Sequence, residues 1–299
     1  MKITIAENFR AIFYAPFYAL RALDLPAREG VEVEWLPPGS PGGAIDDVKH
    51  GATDATWGGP MRVLKDHDTT PADGASLVCF GDVVTRDPFF LVGRPGKAAF
   101  TLPGLAGMRL GVVSEVPTPW HCLRADLEDA GVDTAAMHAA GRLVTGLTMP
   151  QQIDALRAGT LDVAQLLEPH VSDVLARGQG ALLYTASGRG PTVYTTFICS
   201  RDSLAKKAAA FAAVTRALGT LQAWMASEGP AELARITAPF FPDVPAALFA
   251  ASIERYYRDG IWAGATRVSE PGFERLAHSL HAGGFISTRD SYASCIHNF

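Results

Sequence analysis

The chain has 299 residues and a formal net charge of −5, with 48% hydrophobic and only 19% charged residues. That composition provides enough apolar surface for real cores and excludes extensive disorder. The acidic balance, without any Lys/Arg run, excludes a binder of phosphate backbones, which needs a clustered cationic face.

The N-terminal stretch MKITIAENFRAIFYAP holds one Lys, an alternating ITIA and an early Glu7. It does not read as a signal peptide, so the expectation is a cytoplasmic chain as written, and a periplasmic one if a leader was removed. KITIA alternates as a strand, and APFYALRALDLPAREG follows as a helix stopped by Pro26 and Gly30. VEVEWL has period two and predicts a second strand. GGAIDDVKHG predicts a short helix closed by Gly51, and ATDATWG a third strand. Further on, MRLGVV, RLVTGL and TLDVAQLL predict strands, with helices over PWHCLRADLEDAGVD and MPQQIDALRAG, the latter closed by Gly159.

One sentence is written twice. Residues 45–60, IDDVKHGATDATWGGP, return as IDALRAGTLDVAQLLEP at 153–169: Ile-Asp, a Gly six residues after the Ile, an Asp nine after it, an apolar run and a Pro. Each half therefore reads strand, helix, strand, helix, strand. That order predicts an α/β protein of two like-built lobes, each a mostly parallel sheet with right-handed crossovers. PFFLVGRP (88–95) and VYTTFICS (193–200) are continuous apolar strands bracketing the second half. After them, helices are expected from Asp202-Ser203 to about Ser227, then at 231–238, 245–258 and 270–282, the last capped by Ser269. With no counterpart in the second half, these helices are expected to pack back onto the first. Lobe I is thus 1–90 and 196–299, lobe II is 91–195, and two hinge strands join them. No apolar run approaches the roughly 20 residues that span a bilayer. Cys79, Cys122, Cys199 and Cys295 are scattered without a C-x-x-C, as small buried hydrophobes would be.

At YAPFYALRAL, VEVEWLPPGSPGGAIDDVKHGATDATWGGP, MRLGVVSEVPTPW and TTFICSRDSLAKKAAAFAAVTRAL the chain resembles the NMT1/THI5-like group of type-II periplasmic solute-binding proteins, alongside sulfonate- and pyrimidine-precursor-binding proteins. The resemblance covers residues 2 to about 285. It implies a clamshell that closes on a small solute and delivers it to an ABC permease. It also admits a cytoplasmic enzyme on the same scaffold: a pyridoxal-phosphate-dependent thiamin-pyrimidine synthase, a decarboxylase or a lyase. The synthase's Cys-rich motif is reduced here to Cys199 in VYTTFICSRD, and a desulfinase's nucleophilic Cys is missing from AENFRAIFYAP. A binding protein without cofactor or metal, working as a monomer, is the reading preferred; pyridoxal phosphate, with Lys49 or Lys65 as its anchor, belongs only to the alternative.

In parallel sheets, ligands sit beyond the carboxyl ends of the strands. Four loops qualify. ENFRAIFY offers Asn8, Arg10 and Tyr14, with Arg10 a candidate clamp for a carboxylate or sulfonate, or else a surface arginine. WGGP offers Trp57 as a stacking face beside Gly58 and Gly59, with Arg62 just beyond; a core Trp is the alternative. SEVPTPW offers Ser114, Thr118 and Trp120 at a helix start suited to an anion. LEPH offers Glu168 and His170, with Glu168 an acceptor for a ligand amine or ring N–H. From the crossings come Arg86 and Tyr194. His278 and His281 share helical spacing but lack a third ligand, so a metal site is not expected. Arg10 and Glu168 pull the ligand's charge in opposite directions, leaving its sign open.

Overall fold

The structure is a computed structural model describing residues 1–39, 42–70, 74–96, 100–289 and 292–299. Its strands are β1 (Lys2–Ala6), β2 (Glu32–Leu36), β3 (Ala55–Gly58), β4 (Leu77–Val84), β5 (Phe90–Gly93), β6 (Leu110–Gly111), β7 (Leu143–Val144), β8 (Val163–Leu166), β9 (Ala181–Thr185) and β10 (Thr195–Ser200). They form two sheets, ordered β2-β1-β3-β10-β4 and β7-β6-β8-β5-β9. In each, three strands of the strand–helix–strand–helix–strand unit pair in parallel. A fourth, β10 or β5, then runs antiparallel to its neighbours. That odd strand is the one next to a passage between the sheets. The α/β, two-sheet expectation holds.

The repeated sentence has the same physical content in both places. The helices Gly43–Lys49 and Met149–Arg157 each end in a glycine of left-handed conformation, Gly51 and Gly159, both at φ 72°. A side chain there would be strained, because its Cβ crowds the backbone carbonyl. The repeated aspartate then ties the incoming strand to its parallel neighbour. The Asp54 carboxylate accepts from the backbone N–H of Thr4 at 2.7 Å, and that of Asp162 from the backbone N–H of Arg109 at 2.9 Å. A cation neutralises each: Lys207 at 2.7 Å from Asp54, and Arg94 against Asp162.

Two strands escaped the sequence reading. β4 is a fully buried run, LVCFGDVV, without alternation and interrupted by Gly81-Asp82, which a sequence reading takes for a turn. β9 is a half-exposed edge strand whose pairing with β5 is irregular. The chain passes between the sheets at 85–89 and 186–194, next to β5 and β10 rather than along them. The passages run side by side: Thr192 N–H donates to Thr85 O at 2.7 Å, and Ala186 N–H to Phe89 O at 3.0 Å.

The long helix Arg201–Thr237 is capped by Ser200, whose hydroxyl accepts from Ser203 N–H, not by the expected Asp202-Ser203 pair. It breaks at Gly229-Pro230, where Gly229 takes φ 77°, as the predicted gap between helices requires. The last helices pack back onto the first half, where Ala246–Arg258 meets Arg201–Thr237 and Glu270–Ala282 meets Met61–Thr69, but they do not stop there. Helix Ala246–Arg258 also meets His170–Ala176, and helix Glu270–Ala282 meets Pro117–Asp129, both within the second half. One apolar cluster consequently runs through both sheets, from Ile3 and Phe17 to Leu166 and Val171. All four cysteines are buried thiols. Among the described residues no helix is long and apolar enough to cross a membrane.

Candidate functional site

A cavity of about 530 Å³ opens between the two sheets. All four strand-end loops reach it: Asn8 to Tyr14 after β1, Gly59 to Arg62 after β3, Glu115 to Thr118 after β6, and Leu167 to His170 after β8. The passages add Phe89 and Tyr194. The walls are mainly apolar and aromatic, with a few convergent polar groups, as in small-molecule sites generally. Phe13 lies in a ring array, 4.3 Å from Tyr14 and 6.3 Å edge-on from Tyr194, and Phe89 is 6.3 Å from Tyr194. The indole N–H of Trp262 donates to Phe13 O at 2.9 Å and holds this loop in place.

Of the fourteen residues picked from sequence, nine line the cavity: Asn8, Arg10, Tyr14, Gly59, Arg62, Thr118, Glu168, His170 and Tyr194. Their charges behave differently from the sequence expectation. Arg10 spends its guanidinium on Glu7, with Nε 3.2 Å from Oε1, and remains exposed. Glu168 is fully buried but already occupied. It accepts from Arg255 Nε at 2.6 Å, from Ser172 N–H at 2.9 Å and from the Ser172 hydroxyl at 2.8 Å. Burial still raises its pKa, against the opposing pull of Ser172 and Arg255. The opposed pair that left the ligand's sign open is therefore neutralised from within the protein.

Arg62 is different. Half-buried on the cavity wall, it makes no ion pair or hydrogen bond among the described residues. Burial pulls its pKa below the ordinary arginine value, countered by the nearby Tyr14 and Asp46. Beside it, the Tyr14 hydroxyl is pushed upward by burial and remains a neutral donor. Tyr194 is also raised, chiefly by burial, and its hydroxyl has no partner among the described residues. Asn8 is 3% exposed, with Oδ1 likewise unpartnered. Burial lowers the pKa of His170, with Asp173 and Glu115 pulling the other way, so its neutral form is favoured.

Five residues picked from sequence lie elsewhere. Trp57 is a core residue, stacked on Phe17 at 4.7 Å and 10° and ringed by Tyr14, Tyr18 and Trp35. The alternation of β3 points its ring into the sheet's packed face rather than the cleft. Gly58 is set back in β3, where an added Cβ would meet Asn8 Nδ2 at 3.2 Å. The Ser114 hydroxyl accepts from Gly146 N–H on the outside. Trp120 packs on the outer core of the second sheet. Arg86 donates to Ser187 O at 3.0 Å and joins the two passages. Arg189 reinforces that junction, 2.8 Å from Asp87 and bidentate on Asp126.

Sequence reasoning missed Met149 and the Phe241–Val244 loop, which also line the cavity. The loop's only local signal was the Pro-rich break PFFPDVP between helices. Among the described residues no lysine lines the cavity. Lys49 is paired with Asp66 at 2.6 Å, and Lys65 with Asp68 at 3.3 Å. The residues present do not fit a Schiff-base cofactor.

Comparison with known proteins agrees with this architecture. Residues 94–238 match the model of the NMT1-like family. The Bacillus subtilis (strain 168) protein YtlA, which carries a provisional binding-protein name, is 22% identical over 97% of this chain and 86% of its own. The periplasmic aliphatic sulphonate-binding protein SsuA of Escherichia coli superposes with a TM-score of 0.75 at 16% identity, over 99% of this chain and 92% of its own. The alkanesulfonate-binding SsuA of Xanthomonas axonopodis pv. citri, bound to MOPS, gives 0.72 at 16%, over 100% and 98%. Residues 94–238 are thus similar to the NMT1-like family, and the whole chain has the fold of the periplasmic solute-binding proteins.

Proposed function

We propose that this protein is a solute-binding protein whose two lobes, 1–90 with 196–299 and 91–195, close on a small anionic molecule with an aromatic or heteroaromatic body. The observation that carries this reading is Arg62: a desolvated cation on the cavity wall, without an ion pair among the described residues, where Arg10 and Glu168 are both neutralised. A carboxylate or sulfonate would complete it with two parallel hydrogen bonds. Tyr14 and Thr118 would add hydroxyl donors, and the rings around Phe13 would cover the body. The mechanism is differential affinity for the closed form, not chemistry. Delivery to an ABC-type permease, outside the cytoplasm, follows from the same reading, since the structural neighbours named above are sulfonate-binding proteins, one of them named as periplasmic.

The test is a thermal-shift screen with matched aromatic carboxylates, alkanesulfonates, neutral amides and amines. Anions are expected to raise the melting temperature, by about 2.7 kcal/mol of added stability at a hundred times Kd. Arg62→Gln is expected to weaken the best anion at least about tenfold in calorimetry. Equal stabilisation by amines or neutral amides, or an Arg62→Gln protein of unchanged affinity, would remove the proposal's support.

A further inference from the structure

The duplicated sentence brings the chain to the cavity twice. Pro60 and Pro169 each close one copy, and each is followed at once by a helix, Met61–Thr69 or His170–Ala176, that starts on the cavity wall. The first half presents Arg62 there, and the second presents His170. Both are half-buried, and neither makes an ion pair or hydrogen bond among the described residues. The loop that carries His170 is fixed, because Arg255 and Ser172 hold its Glu168. The cavity thus has an available polar side chain on each half, a cation on one and an imidazole on the other.

A neutral imidazole carries one N–H and one bare nitrogen. Water serves both while the cleft is open. An apolar group pressed against the ring on closure would leave them unpaired, and a site with polar groups to satisfy rejects ligands that lack the partner. The surrounding charge decides what kind of partner fits. Burial lowers the His170 pKa, while the carboxylates of Asp173 and Glu115 act on the ring in the opposite sense. Arg177 pairs with Asp173 at 2.8 Å. Glu115 lines the cavity and accepts only from the backbone N–H groups of Ser114 and Met149, so its charge is not neutralised among the described residues. Asp243 also lines the cavity without an ion pair among them. A second anion at this end would meet like charge, whereas a hydrogen-bond donor would meet acceptors. We infer, resting on the binding function proposed above, that His170 is the second half's contact with the ligand. It selects an aromatic carboxylate or sulfonate with an O–H or N–H donor at the end away from the anionic group: Arg62 takes the anion, and the imidazole accepts the donor's hydrogen.

Matched benzoates and naphthoates test this: 3- and 4-hydroxybenzoate against 3- and 4-fluorobenzoate, and 6-hydroxy-2-naphthoate against 2-naphthoate, with terephthalate as the second anion. Titration calorimetry on the full chain is expected to show the hydroxyl member binding at least about tenfold more tightly in one or more pairs, and more tightly than terephthalate. His170→Phe keeps a ring in place and is expected to bring that ratio to about one. Arg62→Gln is expected to weaken both members of a pair alike. The wild-type ratio decides the matter even if His170→Phe fails to fold. Equal affinities in every pair, tighter binding of terephthalate, or a hydroxyl preference that survives in His170→Phe overturn the inference. Binding of a plain alkanesulfonate with no pair bound overturns it while sparing the anion-binding reading; binding of no anion at all ends both.

Discussion

Asp82 shows how one residue can set a pH limit on the whole protein. It lies in β4 at 1% exposure, with Oδ1 unpartnered among the described residues. Burial pushes its pKa up to about 8, against the weaker opposing pull of the Ser269 and Val83 backbone N–H groups. The folded state thus holds a proton that the unfolded chain, with an ordinary aspartate near 4, gives up. Between those values the folded form binds more protons, so stability declines as pH rises from about 4 to about 8 and then levels off. Asp82→Asn removes the titration while keeping the shape. Its melting temperature should exceed that of the wild type more at pH 8.5 than at pH 5; a gap that stays constant or shrinks with pH would contradict the assignment. Single residues also show where sequence reading stopped. The residue types in the site loops were legible, since Asn, Arg, Tyr and His stand out against an apolar chain. Which arginine was available was not, because Arg10 meets Glu7 within its own loop while Arg62 meets no carboxylate at ion-pair distance among the described residues.

At the scale of elements, the repeated Gly-x-x-Asp step is a construction joint rather than part of the site. Register makes the equivalence concrete: Ile5 pairs with Ala55 as Leu110 pairs with Val163, so each aspartate stands one residue before the pairing begins, opposite Thr4 or Arg109. Asp54→Ala and Asp162→Ala should therefore cost similar amounts, about 0.5–1.5 kcal/mol each, the net worth of a hydrogen bond whose N–H water can still reach. Denaturant unfolding would show this, and a loss in one lobe without the other would break the equivalence. The Gly stops and period-two strands were readable because they depend on a few neighbouring residues. β4 was not: a fully buried run carries no alternation and resembles any apolar segment.

At the scale of the molecule, Glu168 and Arg255 form the strut that spans the halves. Glu168 N–H also donates to the Tyr256 hydroxyl at 3.0 Å, so a single turn of helix Ala246–Arg258 holds both the charge and the backbone of the LEPH loop. Removing one partner strands a buried charge, at a cost of roughly 3–5 kcal/mol if the carboxylate stays dry. Opening the cleft to water is the cheaper relief. Arg255→Gln is thus expected to enlarge the radius of gyration of the unliganded protein in small-angle scattering and to weaken ligand binding, with Arg255→Lys intermediate. An unchanged radius with unchanged affinity would show that the strut does not govern closure.

Alternation, helix stops and the duplicated sentence were enough to determine two α/β lobes and the four loops that face each other, because those signals act over a few residues along the chain. Only the tertiary structure decided which charges remain available, which tryptophan is core, and that the Phe241–Val244 loop closes one side of the cavity. The physical reason is range: Arg255 neutralises Glu168 from 87 positions away, and electrostatics in a cleft depends on such partners rather than on chain neighbours.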